Sequence, residues 1–305
     1  MRNLILAISV IALIGCGGEE ADNKTKSRSR TKNKAEASKE EGKSEDAGFD
    51  KETLFGIIRS IPSPLETSDL IFQLKAPFAP RMLSDVDNLS SYTTTDKQAL
   101  NLGIYGADLG YANIYGEKSE SFNYLKVVKS LADDLKIGQF FSFNTIKRMQ
   151  ANANNMDSLI YISQRGFDQM NGYLEKQGRT DVSAQLLLGG WIESVYIATQ
   201  TYKSVEDEGL RESIAGQQVS INELQVLIDA YRDKRKFAVL IKGFDNLKKI
   251  YDSVEIEVIE GEETMQIING IPTMASTTKS IAKITPEQIE EITKAVVELR
   301  ANIIK

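Results

Sequence analysis

Histidine is absent from the chain, and cysteine occurs once, at position 16. Without histidine the commonest general base is missing. So are the usual zinc and iron ligand and any serine or cysteine nucleophile activated by imidazole. One cysteine cannot close a disulfide within the chain, so the fold must rest on its core. A basic excess is lacking too. The formal net charge is −6, a poor match to nucleic acid, whose phosphates demand a basic face. The pairs Gly17-Gly18 and Gly189-Gly190 are not followed by the Gly-Lys-Ser/Thr of a phosphate loop. No catalytic set, metal-ligand cluster or cofactor loop is visible, so the expectation is no cofactor, no metal and no assigned catalytic residue.

What is present begins at the amino terminus. Arg2 supplies a positive start, residues 4–14 form an uncharged apolar run, and small Gly15 precedes Cys16. The run is shorter than the roughly 20 apolar residues that cross a hydrocarbon core. It reads as an export signal over residues 1–15. The order Leu13-Ile14-Gly15-Cys16 resembles the bacterial lipobox. The resemblance covers residues 1–16 and implies diacylglyceryl transfer to the Cys16 sulfur, cleavage before Cys16, and acylation of the new amino terminus. Several acyl chains on one residue give stable anchoring where one alone is marginal.

Residues 16–48 follow as a charged tether without large apolar side chains, a composition that does not order itself. A flexible coil of that length spans about 30 Å. The cluster Glu19, Glu20 and Asp22 resembles the surface-export signal of Bacteroidota-type lipoproteins. Gly17, in place of Asp, departs from the inner-membrane retention signal of enteric bacteria. The resemblance therefore implies an outer-membrane lipoprotein, with the extracellular face favoured over the periplasmic face.

Residues 49–305 carry helical periodicity almost throughout. Helices are expected at 51–59 and 64–75, then a proline-rich loop at 76–94 with one turn near 82–89. Thr95-Asp96 caps a long helix to 116 that is apolar on every side, as a central helix is. Gly103, Gly106 and Gly110 lie near one of its faces. Further helices are expected at 119–135, 144–152 and 157–176. Another starts at 181, with Gly189-Gly190 interrupting it before the sole tryptophan. The next spans 210–231, with Gly216 as its candidate break, and helices at 237–254 and 285–303 complete the set. Phe140, Phe141 and Phe143 read as a core plug between helices. Period-two alternation at 254–259, a turn at 260–263 and looser alternation at 264–271 predict one small β-hairpin near 254–271. The fold class is thus all-α, an antiparallel multi-helix bundle or stacked helical hairpins with that hairpin. The runs Gly-Ile-Tyr-Gly-Ala-Asp-Leu-Gly-Tyr (103–111) and Gly-Gly-Trp-Ile-Glu (189–193) are similar to stretches of uncharacterised helical lipoproteins of Bacteroidota. That similarity implies no activity.

Inside the body, Asp108 and Glu193 each sit in a strongly apolar helix. Buried carboxylates need partners. They could meet each other, a nearby tyrosine, or an Arg or Lys. Tyr105, Asp108, Tyr111, Trp191 and Glu193 are the candidate ligand-binding residues, since aromatics with polar tips suit sugars or peptides. Two carboxyls in one pocket are also what glycoside hydrolysis uses; the competing reading is a polar network that fixes helix register. The glutamates at 255, 257, 260, 262 and 263 lack the Asp-x-Asp-x-Asp spacing of a calcium loop and read as a solvated edge. The functional expectation is an envelope lipoprotein, membrane-bound through lipid on Cys16, whose helical domain binds or scaffolds an envelope protein partner, not nucleic acid. The alternatives are a small-ligand or glycan-binding lipoprotein and, behind it, a hydrolase using Asp108 and Glu193.

Overall fold

The computed structural model describes residues 51–141, 143–152, 155–259, 261, 263–268, 271–276 and 279–305. The signal, Cys16, the acidic cluster and the tether lie outside them. Among the described residues the chain forms ten α-helices, four short strands and several 3-10 turns. The expected all-α, multi-helix class with a small hairpin is what the chain adopts. By contact, Asp46–Glu257 together with Ile281–Lys305 make one compact unit, and Val258–Ser280 falls in another.

The helical unit opens with α1 (Lys51–Ser60) and α2 (Pro64–Gln73). Ser63 starts α2 through a capping box with Glu66, and Pro64 takes the first turn, where its missing N–H is not needed. Two 3-10 turns, Pro80–Met82 and Val86–Ser91, occupy the proline-rich connection. Next comes α3 (Thr95–Ile114), whose Thr94 cap accepts from the Lys97 N–H. Its apolar residues run all round because α2, α4 (Lys118–Asp134), α7 (Thr180–Val205) and α10 (Pro286–Ile303) all pack against it. The remaining helices are α5 (Phe143–Ala151), α6 (Met156–Lys176), α8 (Glu208–Asp229) and α9 (Ala238–Tyr251). Gly178, at φ +66°, supplies the left-handed stop expected after α6. Phe140 and Phe141 pack half-buried against the main core, as a plug should.

The centre is the α3–α7 contact, where the helices meet backbone to backbone. A Cβ on Gly103 would lie 2.1 Å from the Leu186 carbonyl oxygen, and one on Gly189 2.1 Å from that of Leu100. The glycine face of α3 is not uniform. Gly110 meets the Leu65 side chain, while a Cβ on exposed Gly106 would have nothing within 4 Å.

Three details differ from the sequence reading. Gly189-Gly190 does not interrupt α7, because the α3 backbone fills the space their missing side chains leave. Gly216 does not break α8; the buried Leu210, Ile214, Ile221 and Leu224 hold that helix on the core across an exposed glycine. The strands also pair otherwise than their order suggested. β1 (Glu255–Ile259) pairs with β4 (Lys279–Lys283), and the hairpin is β2 (Glu263–Ile268) with β3 (Ile271–Ser276), antiparallel, with Ile268 opposite Ile271. The hairpin thus joins 263–268 to 271–276 rather than 254–259 to 264–271.

Candidate functional site

Four tyrosines, on α3, at its C-terminal cap and on α4, reach the same stretch of chain, the connection between α2 and α3. The Tyr115 O–H donates to the Ala76 carbonyl at 2.7 Å, and the Ala79 N–H donates to the Tyr111 hydroxyl at 3.3 Å. Tyr124 donates to the Ser84 carbonyl at 3.1 Å and Tyr105 to that of Asp85 at 2.6 Å. Phe78, from the connection itself, stacks on Tyr111 with ring centroids 5.3 Å apart. A long connection lacks a regular ladder for its backbone groups, and each buried one needs a partner. Here α3 and α4 supply those partners from their side chains. These aromatic side chains thus fasten a loop.

At the centre of this arrangement sits a charged network. Asp108 comes from α3, Glu193 from α7 and Arg300 from the last turn of α10. Asp108 and Glu193 are fully buried and Arg300 is 7% exposed. The Arg300 guanidinium grips Glu193 with two nitrogens, Nε to Oε2 at 2.5 Å and Nη2 to Oε1 at 2.8 Å. Such fork-to-fork bonds are the strong form of an ion pair. Nη2 also donates to Ser84 Oγ at 2.8 Å, and the guanidinium lies 4.1 Å over the Tyr196 ring. Ser84 in turn gives its N–H to Asp108 Oδ2 at 3.1 Å. Its N–H, carbonyl and hydroxyl are therefore all engaged, by Asp108, Tyr124 and Arg300 respectively.

The electrostatics follow from burial. Loss of water raises the Asp108 pKa well above that of an ordinary carboxylate, and the neighbouring Glu193 charge adds to this; Arg300 and the Ser84 N–H oppose it. Burial works against the Arg300 charge, yet the Glu193 carboxylate holds its pKa above the usual value. Burial also raises the Tyr105 and Tyr124 phenols, helped by Asp108, so both stay neutral donors.

The sequence candidates divide cleanly. Asp108 and Glu193 do meet, and the arginine partner is real. Tyr105 borders the same network. Tyr111 belongs to the loop fastening. Trp191 is separate, donating from its indole to Gln217 at 2.8 Å beside Phe244. As a ligand site the set is corrected by its burial: Tyr105, Asp108, Tyr111 and Glu193 are fully buried and Trp191 is 3% exposed. Of the glycines on α3, Gly103 is closed by α7 and Gly110 meets Leu65, while a Cβ on Gly106 would have open space around it. Neither carboxyl named in the hydrolase reading is open to solvent. Two residues that complete the network were not found from sequence, Ser84 and Arg300. Ser84 carried no signal, lying in irregular chain. Arg300 carried a weak one: it follows Val296 by four positions, placing it beside the apolar stripe of α10 rather than opposite it.

No known protein family, curated protein or solved structure matches the chain. A cavity of about 400 Å³ lies apart from the network, lined by residues that include Glu208, Arg211, Glu212, Lys283 and Gln288. Among the described residues no group of three or more His, Cys, Asp or Glu side chains could hold a metal ion. Nor is any described helix long and apolar enough to cross a membrane.

Proposed function

We propose that the protein is a lipoprotein of the bacterial outer membrane, held by acyl chains on Cys16, whose helical body binds or scaffolds a protein partner of the cell envelope. The observation that carries this reading is the sequence Leu13-Ile14-Gly15-Cys16 at the end of a short apolar run. Cys16 is the only cysteine, so no structural duty competes with acylation. The resemblance of Glu19, Glu20 and Asp22 to a surface-export signal supports the extracellular face. The body supports an interaction role in a limited way. Its unusual polar residues serve to hold its own chain, which leaves the outer surface as the part that would meet a partner.

The test is Cys16→Ser in cells. The variant is expected to lose acyl labelling and to leave the outer-membrane fraction after a high-salt wash. If it stays with the membrane after that wash, the lipid-anchor reading is wrong. Protease shaving of intact cells decides the face, and crosslinking in intact cells followed by affinity isolation captures the partner.

A further inference from the structure

The buried network contains two carboxyls and one guanidinium, and the guanidinium is committed to Glu193 through two bonds. Asp108 accepts the Ser84 N–H at Oδ2, while its Oδ1 is buried with no donor directed at it. The neighbouring carboxyl within its hydrogen-bonding reach is Glu193. Two carboxylates cannot hydrogen-bond each other; a carboxylic acid and a carboxylate can. A proton on Asp108 Oδ1 turns an orphaned acceptor into a donor to Glu193. It also brings the sum over the three groups to zero, with Asp108 neutral, Glu193 negative and Arg300 positive.

We infer that Asp108 is held as a neutral carboxylic acid donating to Glu193, and that this proton makes the Ser84 fastening a latch on the connection 76–94 that opens when the acid ionises. The groups around Asp108 allow no other easy relief. From α3 comes Tyr105, from α4 Tyr124, from α7 Glu193 and Tyr196, and from α10 Arg300. From the connection come Tyr92 and Ser84, while the Asp85 carboxyl accepts from the Asp87 N–H of its own turn. Arg300 is the only cation among them. A second negative charge beside Glu193 therefore calls for water, and the connection is the one covering segment that is not a packed α-helix. Lifting it hydrates the carboxylate at the cost of the Ser84, Tyr105 and Tyr124 bonds.

The direction with pH is fixed by the raised folded value. An acid that keeps its proton longer in the folded chain gives its full stabilisation below its unfolded value, near 3.9. It loses that contribution as pH rises toward the folded value. The chain has no histidine, so pH 6–8 lies between the ordinary carboxylates and the ordinary lysines, a quiet window for a displaced acid.

The test compares the full chain with Asp108→Asn. The amide keeps the shape, accepts from Ser84 and donates to Glu193 without a titrating proton. Between pH 6 and 8 the unfolding equilibrium of the natural protein is expected to shift toward the unfolded chain, relative to D108N, by up to tenfold per pH unit. Parallel pH profiles would overturn the neutral-acid assignment. As a check independent of any variant's folding, the natural protein at pH 7 should show a carboxylic-acid carbonyl band in its infrared spectrum; absence of the band would also overturn it. The latch is read by tryptic cleavage after exposed Arg81. Cleavage should rise with pH in the natural protein more than in D108N, and a rise no steeper than that of D108N would overturn the latch.

Discussion

Gly103 and Gly106 stand three residues apart on one helix, and alanine should act on them with opposite signs. In a helix, replacing glycine by alanine is worth about 1 kcal/mol from backbone entropy alone. At Gly106 nothing stands against that gain, since the added methyl meets no atom within 4 Å. G106A should therefore be more stable by about 0.5–1 kcal/mol. At Gly103 the methyl would lie 2.1 Å from the Leu186 oxygen and 2.6 Å from the Gly190 nitrogen. Both are backbone atoms of α7 and cannot rotate aside. Reaching even 3.0 Å from the oxygen requires α3 and α7 to part by about 0.9 Å, the difference between 3.0 and 2.1. A gap of that order forfeits a quarter to a half of the dispersion contact along the seam. Overpacking of this kind costs about 1–3 kcal/mol and at times more. With the propensity gain subtracted, G103A should be less stable than the natural protein by up to about 2 kcal/mol. The propensity gain is common to both, so the two variants should differ by about 1–3 kcal/mol, roughly one to two decades in the unfolding equilibrium. Urea unfolding followed by Trp191 fluorescence measures this directly, since the sole tryptophan lies on α7 itself. If G103A matches or exceeds G106A in stability, the backbone contact at the centre of the fold is wrong.

Other perturbations test the polar interior and the helix ends. Arg300→Met should cost about 3–5 kcal/mol by leaving Glu193 buried without its counter-charge, read as a lower urea midpoint at pH 7. Tyr105→Phe removes the bond to the Asp85 carbonyl and should cost about 1 kcal/mol, with faster tryptic cleavage after Arg81. Thr285 caps α10 in a capping box with Gln288, so Thr285→Ala should cost about 1 kcal/mol, visible as a drop in Tm. Val219, exposed on α8, should tolerate Lys within about 0.5 kcal/mol.

The helices were legible because their signals are local. Thr94, Asn155, Asp207 and Thr285 each place a side chain on the first free N–H groups, and the apolar residues between such caps repeat at helical spacing. The centrality of α3 was legible in the same way, from apolar residues on every side. Pairing of the strands was not, because any alternating segment can join any other and sequence order is a weak guide. The partnership of Asp108 with Glu193 was visible only as a demand: a carboxyl in an apolar helix must find something. What it found depended on Arg300, more than one hundred positions beyond Glu193, and on Ser84 in irregular chain. The tyrosines misled for a physical reason. A phenol suits a ligand and a stray carbonyl equally well, and only the path of the 76–94 connection shows which one it meets.

Arg300 also bears on when the body can finish folding. Its guanidinium supplies the counter-charge for Glu193 and a bond to Ser84, while nearby Asn101 donates to the Ile303 carbonyl and Tyr92 to that of Ile304. A chain emerging with its amino terminus first has α3 and α7 in hand long before α10. Until Arg300 follows, Glu193 is an uncompensated acid in an apolar seam, and closing that seam is unfavourable. The last helix of the body thus supplies the charge that makes the central α3–α7 contact favourable to close.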